Sequence, residues 1–382
     1  MVGISNGEPH HEGNREYVDD LLSDEGRGET LVKDVHRVVF NEYDRALLEG
    51  IATKDQVVLQ KKHVEVVVEL VGEIVEILKS GEGTKISGPQ EPIDVSLSVQ
   101  RTAEIEAWAH DAGKIVPERQ DPLEGGKNPT RTRLLVHGED SALWTQQILE
   151  SLRFSPKVIS RVTSDIISHM PMPYVEKALL DAKIAQWVGE KVILPKHLKK
   201  NKYPQPRSIE GAILFASDLL SPMVLAGKDI VEDPKAGCFD RYIVESLRTL
   251  NAKKAEKGMK EAFFSALGSL RENIDRLIEP PEEKGREGAL EVEKRIGRVL
   301  GQKALDKVIK FWKFVEEIGF ELDGKVVKGL DDLTVWEYQP QAGVGGAPDL
   351  VVDIDKTMKN YYEAVKAYRK HYKLDPNKLA DR

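Results

Sequence analysis

The chain carries one cysteine, Cys238, in 382 residues. An intrachain disulfide is therefore impossible, and so is a metal cage built from several thiolates. Long apolar runs are also lacking. No stretch free of charged residues reaches the ~18 apolar residues that a membrane-crossing helix needs. No basic segment followed by an apolar run opens the chain at Met1-Val-Gly-Ile-Ser, so no signal peptide is expected. Positive charge is in deficit: 56 Lys and Arg stand against 64 Asp and Glu, a net charge of −8. That argues against a surface that coats nucleic acid, which would be basic, and leaves room for a local basic pocket. The expected location is the cytoplasm, with no membrane partner; a homo-oligomer is left open.

What is present is ordinary for a globular chain: 40% hydrophobic and 31% charged residues, enough for one large domain or two modest ones. Residues 1–30 are rich in Gly, Asp and Glu and read as a mobile acidic leader. From Leu31 to Lys79 the pattern turns helical, with Val35, Val38, Val39, Tyr43 and Leu47 at helical spacing. Val57–Leu78 is dense in Val and Ile, but its length makes it a helix rather than a strand. Residues 80–98 and 117–132 are loops punctuated by Gly and Pro. Further helices are expected at about 99–114, 138–152, 156–168, 173–189, 208–220, 239–252, 257–278, 287–318 and 355–372. The basic, Pro-punctuated segment 194–207 reads as a surface loop. Between 319 and 353 the signals are weak, with a short strand at Thr334–Tyr338 and a flexible turn at 343–346. The expected fold class is all-α.

The residues with chemistry centre on His110-Asp111, in Trp108-Ala-His-Asp-Ala-Gly-Lys114. A lone histidine on an apolar helix, such as His63, His137 or His169, is more often a packed core residue than a ligand. The dipeptide changes that weighing. It places a carboxylate among apolar residues, where it needs a cation or hydrogen-bond donors. Imidazoles and carboxylates are the donors a divalent first-row metal takes when no thiolate is offered. In a helix, Asp111 and Lys114 at i and i+3 share a face with His110. An imidazole, a carboxylate and a cation would then line one cavity, and Asp111 could bridge two ions through its two oxygens. The bland alternative for Lys114 is a surface ion pair. Glu139 and Asp140 read first as acids at a helix N-terminus.

The order His63, His110-Asp111, His137, His169, Asp218 resembles the ligand order of the HD superfamily of metal-dependent phosphohydrolases. Five local matches carry the resemblance: His63-Val-Glu-Val-Val-Val, Ala109-His-Asp-Ala-Gly-Lys114, His137-Gly-Glu-Asp-Ser-Ala142, the helix Val158–His169, and Phe215-Ala-Ser-Asp-Leu-Leu-Ser-Pro222. The layout is most similar to the bacterial HD-type hydrolases that cleave diadenosine tetraphosphate symmetrically. It departs from them in residues 80–98, in the Met-Pro-Met-Pro after His169, and in about 100 residues beyond 280.

The resemblance implies an HD-domain helical bundle over residues 31–280 with a mostly helical C-terminal region, 281–382. It implies a metal set of His63, His110, Asp111, His137, His169 and Asp218. Six ligands with a shared Asp111 suit two ions, and the resemblance puts iron or manganese ahead of zinc. The expected activity is hydrolysis of a phosphate ester or anhydride in a nucleotide or other small phosphorylated molecule. Asp111 and Lys114 would be catalytic, with Lys114, Arg131 and Arg133 meeting substrate phosphates. Solubility is the simpler reading of the two arginines. The alternative is an HD-type di-iron oxygenase acting on a polyol or phosphonate, since that branch uses the same ligand order.

Overall fold

The computed structural model describes residues 17–81, 90–115, 137–169, 186–188, 191–193, 205–231, 239–253, 255–280, 282, 284–339 and 349–374. Within these residues the fold is mostly helical, as expected, with three two-stranded antiparallel sheets. The chain divides into two compact units, Met1–Lys61 with Ser96–Gln205 and Lys62–Val95 with Pro206–Arg382. The second holds both residues 206–280 and the C-terminal region 281–382. No described helix is long and apolar enough to cross a membrane.

In the first unit, α1 spans Glu25–Leu48 and follows a short 3-10 turn at Asp19–Ser23. It starts six residues before the expected Leu31 because Asp24 accepts a hydrogen bond from the Arg27 amide, capping the helix. Val35, Val39 and Tyr43 are fully buried on its apolar stripe. The opening residues of α2 (Lys54–Ser80) follow, then α3 (Leu97–Ala109), a single turn α4 (Ala112–Ile115), α5 (His137–Ser151) and α6 (Pro156–Ser168). The α6 boundaries match the expectation. Ser155 caps the helix through the Val158 amide, Pro156 opens it, and Val158, Ile159, Val162 and Ile166 bury one face.

The first unit also contains β1 (Gln186–Val188) and β2 (Lys191–Ile193), an antiparallel pair with Val188 opposite Lys191. This corrects the helix expected over 173–189, at least at its C-terminal end. Val188, Val192 and Ile193 are β-branched residues that favour strand, and the rest of the expected helix lies outside the described residues.

In the second unit, the remainder of α2 buries Val64, Val67, Val71, Ile74, Val75 and Leu78. After it come α7 (Ile209–Val231), α8 (Phe239–Ala252), α9 (Met259–Ile278), α10 (Glu287–Ile296) and α11 (Gln302–Lys313). Two hairpins, β3–β4 (Phe320–Leu322, Lys325–Val327) and β5–β6 (Trp336–Gln339, Asp349–Val352), precede α12 (Ile354–His371). The strand expected at 334–338 is β5. The tyrosines of α12 are structural. Tyr361 and Tyr368 are buried edge-on against Phe311, and Tyr362 donates to Asp240 at 2.7 Å.

Arg101 ties the entry of α1 to α3. It is 6% exposed and donates to the carbonyls of Leu22, Asp24 and Glu25. Arg101→Met would keep its bulk and remove the donors. A net loss of about 1.5–3 kcal/mol is expected, read as a lower urea midpoint with an unchanged slope.

Candidate metal centre

Helix ends build the first half of the site. His110 follows the last residue of α3 and His169 follows the last residue of α6, each in the C-cap position. In both rings Nδ1 faces the carbonyl three residues back: His110 to Ala107 at 2.8 Å, and His169 to Ile166. A carbonyl accepts only a proton donor, so Nδ1 carries a hydrogen in each ring and Nε2 is the nitrogen left to face a metal. The C-cap geometry thus fixes the tautomer that a metal needs and supplies the second partner that orients a ligand imidazole.

Asp111 lies between these rings and is fully buried. Its Oδ1 is 2.7 Å from His137 Nε2 and 3.8 Å from His169 Nε2; its Oδ2 is 3.5 Å from His110 Nε2. His137, the first residue of α5, also stands 3.2 Å from His169, Nε2 to Nε2. One donor atom from each of His110, Asp111 and His169 lies within 4.8 Å of the other two. Lys114 Nζ meets Asp111 Oδ2 at 2.5 Å, with its side chain 25% exposed. The i, i+3 relation read from the sequence is therefore an ion pair. It is not the surface pair of the bland reading, because its carboxylate is buried.

Burial by itself would push the Asp111 carboxyl up. The charges of His110, Lys114 and His137, with the His137 hydrogen bond, outweigh it and hold the group well below the ordinary carboxylate range. Asp111 is thus an anion in the interior. Burial, reinforced by that anion, pushes the nearby Tyr43 phenol well above its ordinary value. An ionised carboxylate and imidazole lone pairs directed at one small volume form a donor set that fits a divalent cation.

The second unit pairs His63 with Asp218, Nε2 to Oδ1 at 3.2 Å, both partly exposed. Asp218 sits on α7 four residues before Pro222. Proline has no amide hydrogen, so the Asp218 carbonyl loses its helical partner. The Ser221 hydroxyl takes that carbonyl at 2.9 Å, and the same oxygen is 3.4 Å from His63 Nδ1. With its hydrogen given to Asp218, Ser221 accepts from Nδ1, so Nε2 is the nitrogen that faces the carboxylate, where either a proton or a metal ion could stand between them.

All the expected metal residues have been placed: His110, Asp111, His137 and His169 meet within the first unit, His63 and Asp218 within the second. Arg131 and Arg133 lie outside the described residues. Glu139 and Asp140 occupy the first turn of α5, as expected. The sequence reading missed two partners. Gln60, three residues before His63, donates to Asp111 Oδ2 at 2.7 Å. Ser221 was legible from its place before Pro222, since the orphaned carbonyl is always four residues back. No family model, no curated protein and no solved structure matches the chain. The fold and the site therefore define a class: a mostly helical protein with a buried His/Asp cluster compatible with an HD-like metal site.

Gly113 lets α4 lie directly on the start of α5. Its amide donates to Ser141 Oγ at 2.9 Å, and a Cβ there would stand 2.6 Å from the His137 carbonyl oxygen. Gly113→Ala must push the two elements apart. It is expected to cost about 1–3 kcal/mol and to weaken metal binding with it, checked by thermal melting and Co2+ titration of one preparation.

Proposed function

We propose that this chain is a metal-dependent phosphohydrolase of the HD type. It would hydrolyse a phosphate ester or anhydride of a nucleotide or another small phosphorylated molecule. The observation that supports this reading best is Asp111, a buried anion ringed by histidines whose Nε2 atoms are directed inward, with a lysine on the same carboxylate. The sequence order adds His63 and Asp218 to the ligand set. Six ligands suit two ions, and the resemblance implies iron or manganese. Bound there, such ions supply Lewis acidity toward phosphoryl oxygens and an acidified water.

The residues have distinct tasks in this reading. The four histidines would offer neutral nitrogen donors; His110 and His169 are oriented from behind by carbonyls and His63 by Ser221. Asp111 and Asp218 bring the negative charge that favours a cation over a second proton. Lys114, on a flexible stem and partly exposed, can leave Asp111 for an incoming phosphate and meet its charge as a compact ammonium. Arg131 and Arg133 remain sequence candidates for further phosphate contacts.

The first test is metal analysis of the purified protein, followed by a hydrolysis screen over nucleotides, dinucleoside polyphosphates and sugar phosphates. Turnover by the metal-loaded protein that is lost on chelation is expected. Oxygen uptake by the iron-loaded protein with a polyol or phosphonate, without phosphate release, would favour the oxygenase alternative.

Asp111→Ala is expected to lose both metal and activity while keeping its helical circular dichroism. Lys114→Ala is expected to keep the metal and lose roughly ten- to a hundredfold in kcat/KM, the worth of about 1.5–3 kcal/mol for a charge-assisted contact. Lys114→Arg should recover only part of that. Unchanged turnover in Lys114→Ala would remove the lysine from substrate binding.

A further inference from the structure

The two oxygens of Asp111 are not equivalent. Oδ2 receives two donors, the Gln60 amide at 2.7 Å and the Lys114 ammonium at 2.5 Å. Oδ1 faces His137 and His169. The two donors on Oδ2 also differ in kind. Lys114 is a charged, long-stemmed group that a phosphate can draw away. Gln60 is neutral, has no competing attraction to an anion, and sits on a regular stretch of α2.

We infer that Gln60 is a positioning residue: it holds Asp111 Oδ2 and so presents Oδ1 to the ion bound with His137 and His169. This inference rests on the metal reading above. It orders the filling of the site. The Oδ1 side, already facing two imidazoles, takes the first ion. Oδ2 becomes a ligand to a second ion only after Gln60 and Lys114 release it. The bridging role expected of Asp111 is then a property of the fully loaded protein, reached in a second, weaker step.

The experiment is a calorimetric titration of the metal-free full-length protein with Co2+, with the visible Co2+ spectrum recorded at each addition. Wild type is compared with Gln60→Met, which keeps the bulk of the side chain and removes the donor, and with Gln60→Ala. His137→Ala serves as the control for the metal site itself. Removal of an outer-shell partner weakens metal affinity by roughly ten- to a hundredfold. The tight step in Gln60→Met is expected to weaken by at least about tenfold on that basis. The weaker step should move the other way, toward tighter binding, or come into range if wild type shows one step only. Helical circular dichroism of the metal-free protein should be unchanged, and the Co2+ band should shift as the carboxylate adopts a new binding mode. A tight step of wild-type strength in Gln60→Met, or a parallel weakening of both steps, overturns the role of Gln60. If His137→Ala binds Co2+ as wild type does, or wild type binds none, the metal reading itself fails. The two failures are therefore told apart by the control.

Discussion

A carboxylate held as an anion in the protein interior is the constraint around which the first unit is arranged. Asp111 is fully buried, and an isolated charge there would cost several kcal/mol. Its neighbours meet that cost with an ammonium, an amide and three imidazoles, contributed by α2, α4, α5 and the ends of α3 and α6. Each of these elements must stop or start at a set residue for its group to reach the same carboxylate. The lengths of the helices are therefore part of the site.

The ends of α3 and α6 show how little is needed to make a ligand. A histidine in the C-cap position is close enough to the carbonyl three residues back to donate Nδ1–H to it. That bond satisfies one of the carbonyls left open at a helix end. It also selects the tautomer with Nε2 free. Capping and ligand orientation are one interaction, used twice, at His110 and His169. In the second unit a different device reaches the same result. Pro222 frees a carbonyl, Ser221 claims it, and the hydroxyl that has spent its hydrogen accepts from His63.

These devices separate what orients the histidines from what the site would hold. All the orienting groups are backbone carbonyls or a hydroxyl. A site built in this way is organised before anything binds, which lowers the reorganisation needed for binding. Gln60 belongs to the same set of neutral orienting groups, and Lys114 does not, because its charge answers to any anion that enters.

Much of the architecture was legible in the residues alone. Apolar spacing and cap residues located α6 at Pro156–Ser168, α8 at about 239–252 and α12 at about 355–372, because helix periodicity is a local property. The residues of the buried cluster were legible from the dipeptide His110-Asp111 and from the order of the histidines around it. Hairpins were read poorly. Asp323-Gly324 is a turn with both residues at positive φ, yet strands of three residues carry too little alternation to stand out. The helix expected over 173–189 gives way to a strand at Gln186–Val188, and its other residues lie outside the described ones. Sequence by itself determined which side chains could be ligands and which segments would coil, since both follow from residue type and short-range spacing. Only the tertiary structure decided that Asp111 would be buried as an anion among His137 and His169, and that Gln60 would share the oxygen that takes Lys114. Those contacts join residues far apart in the chain, and an oxygen's choice of partners is set by which helix ends arrive beside it.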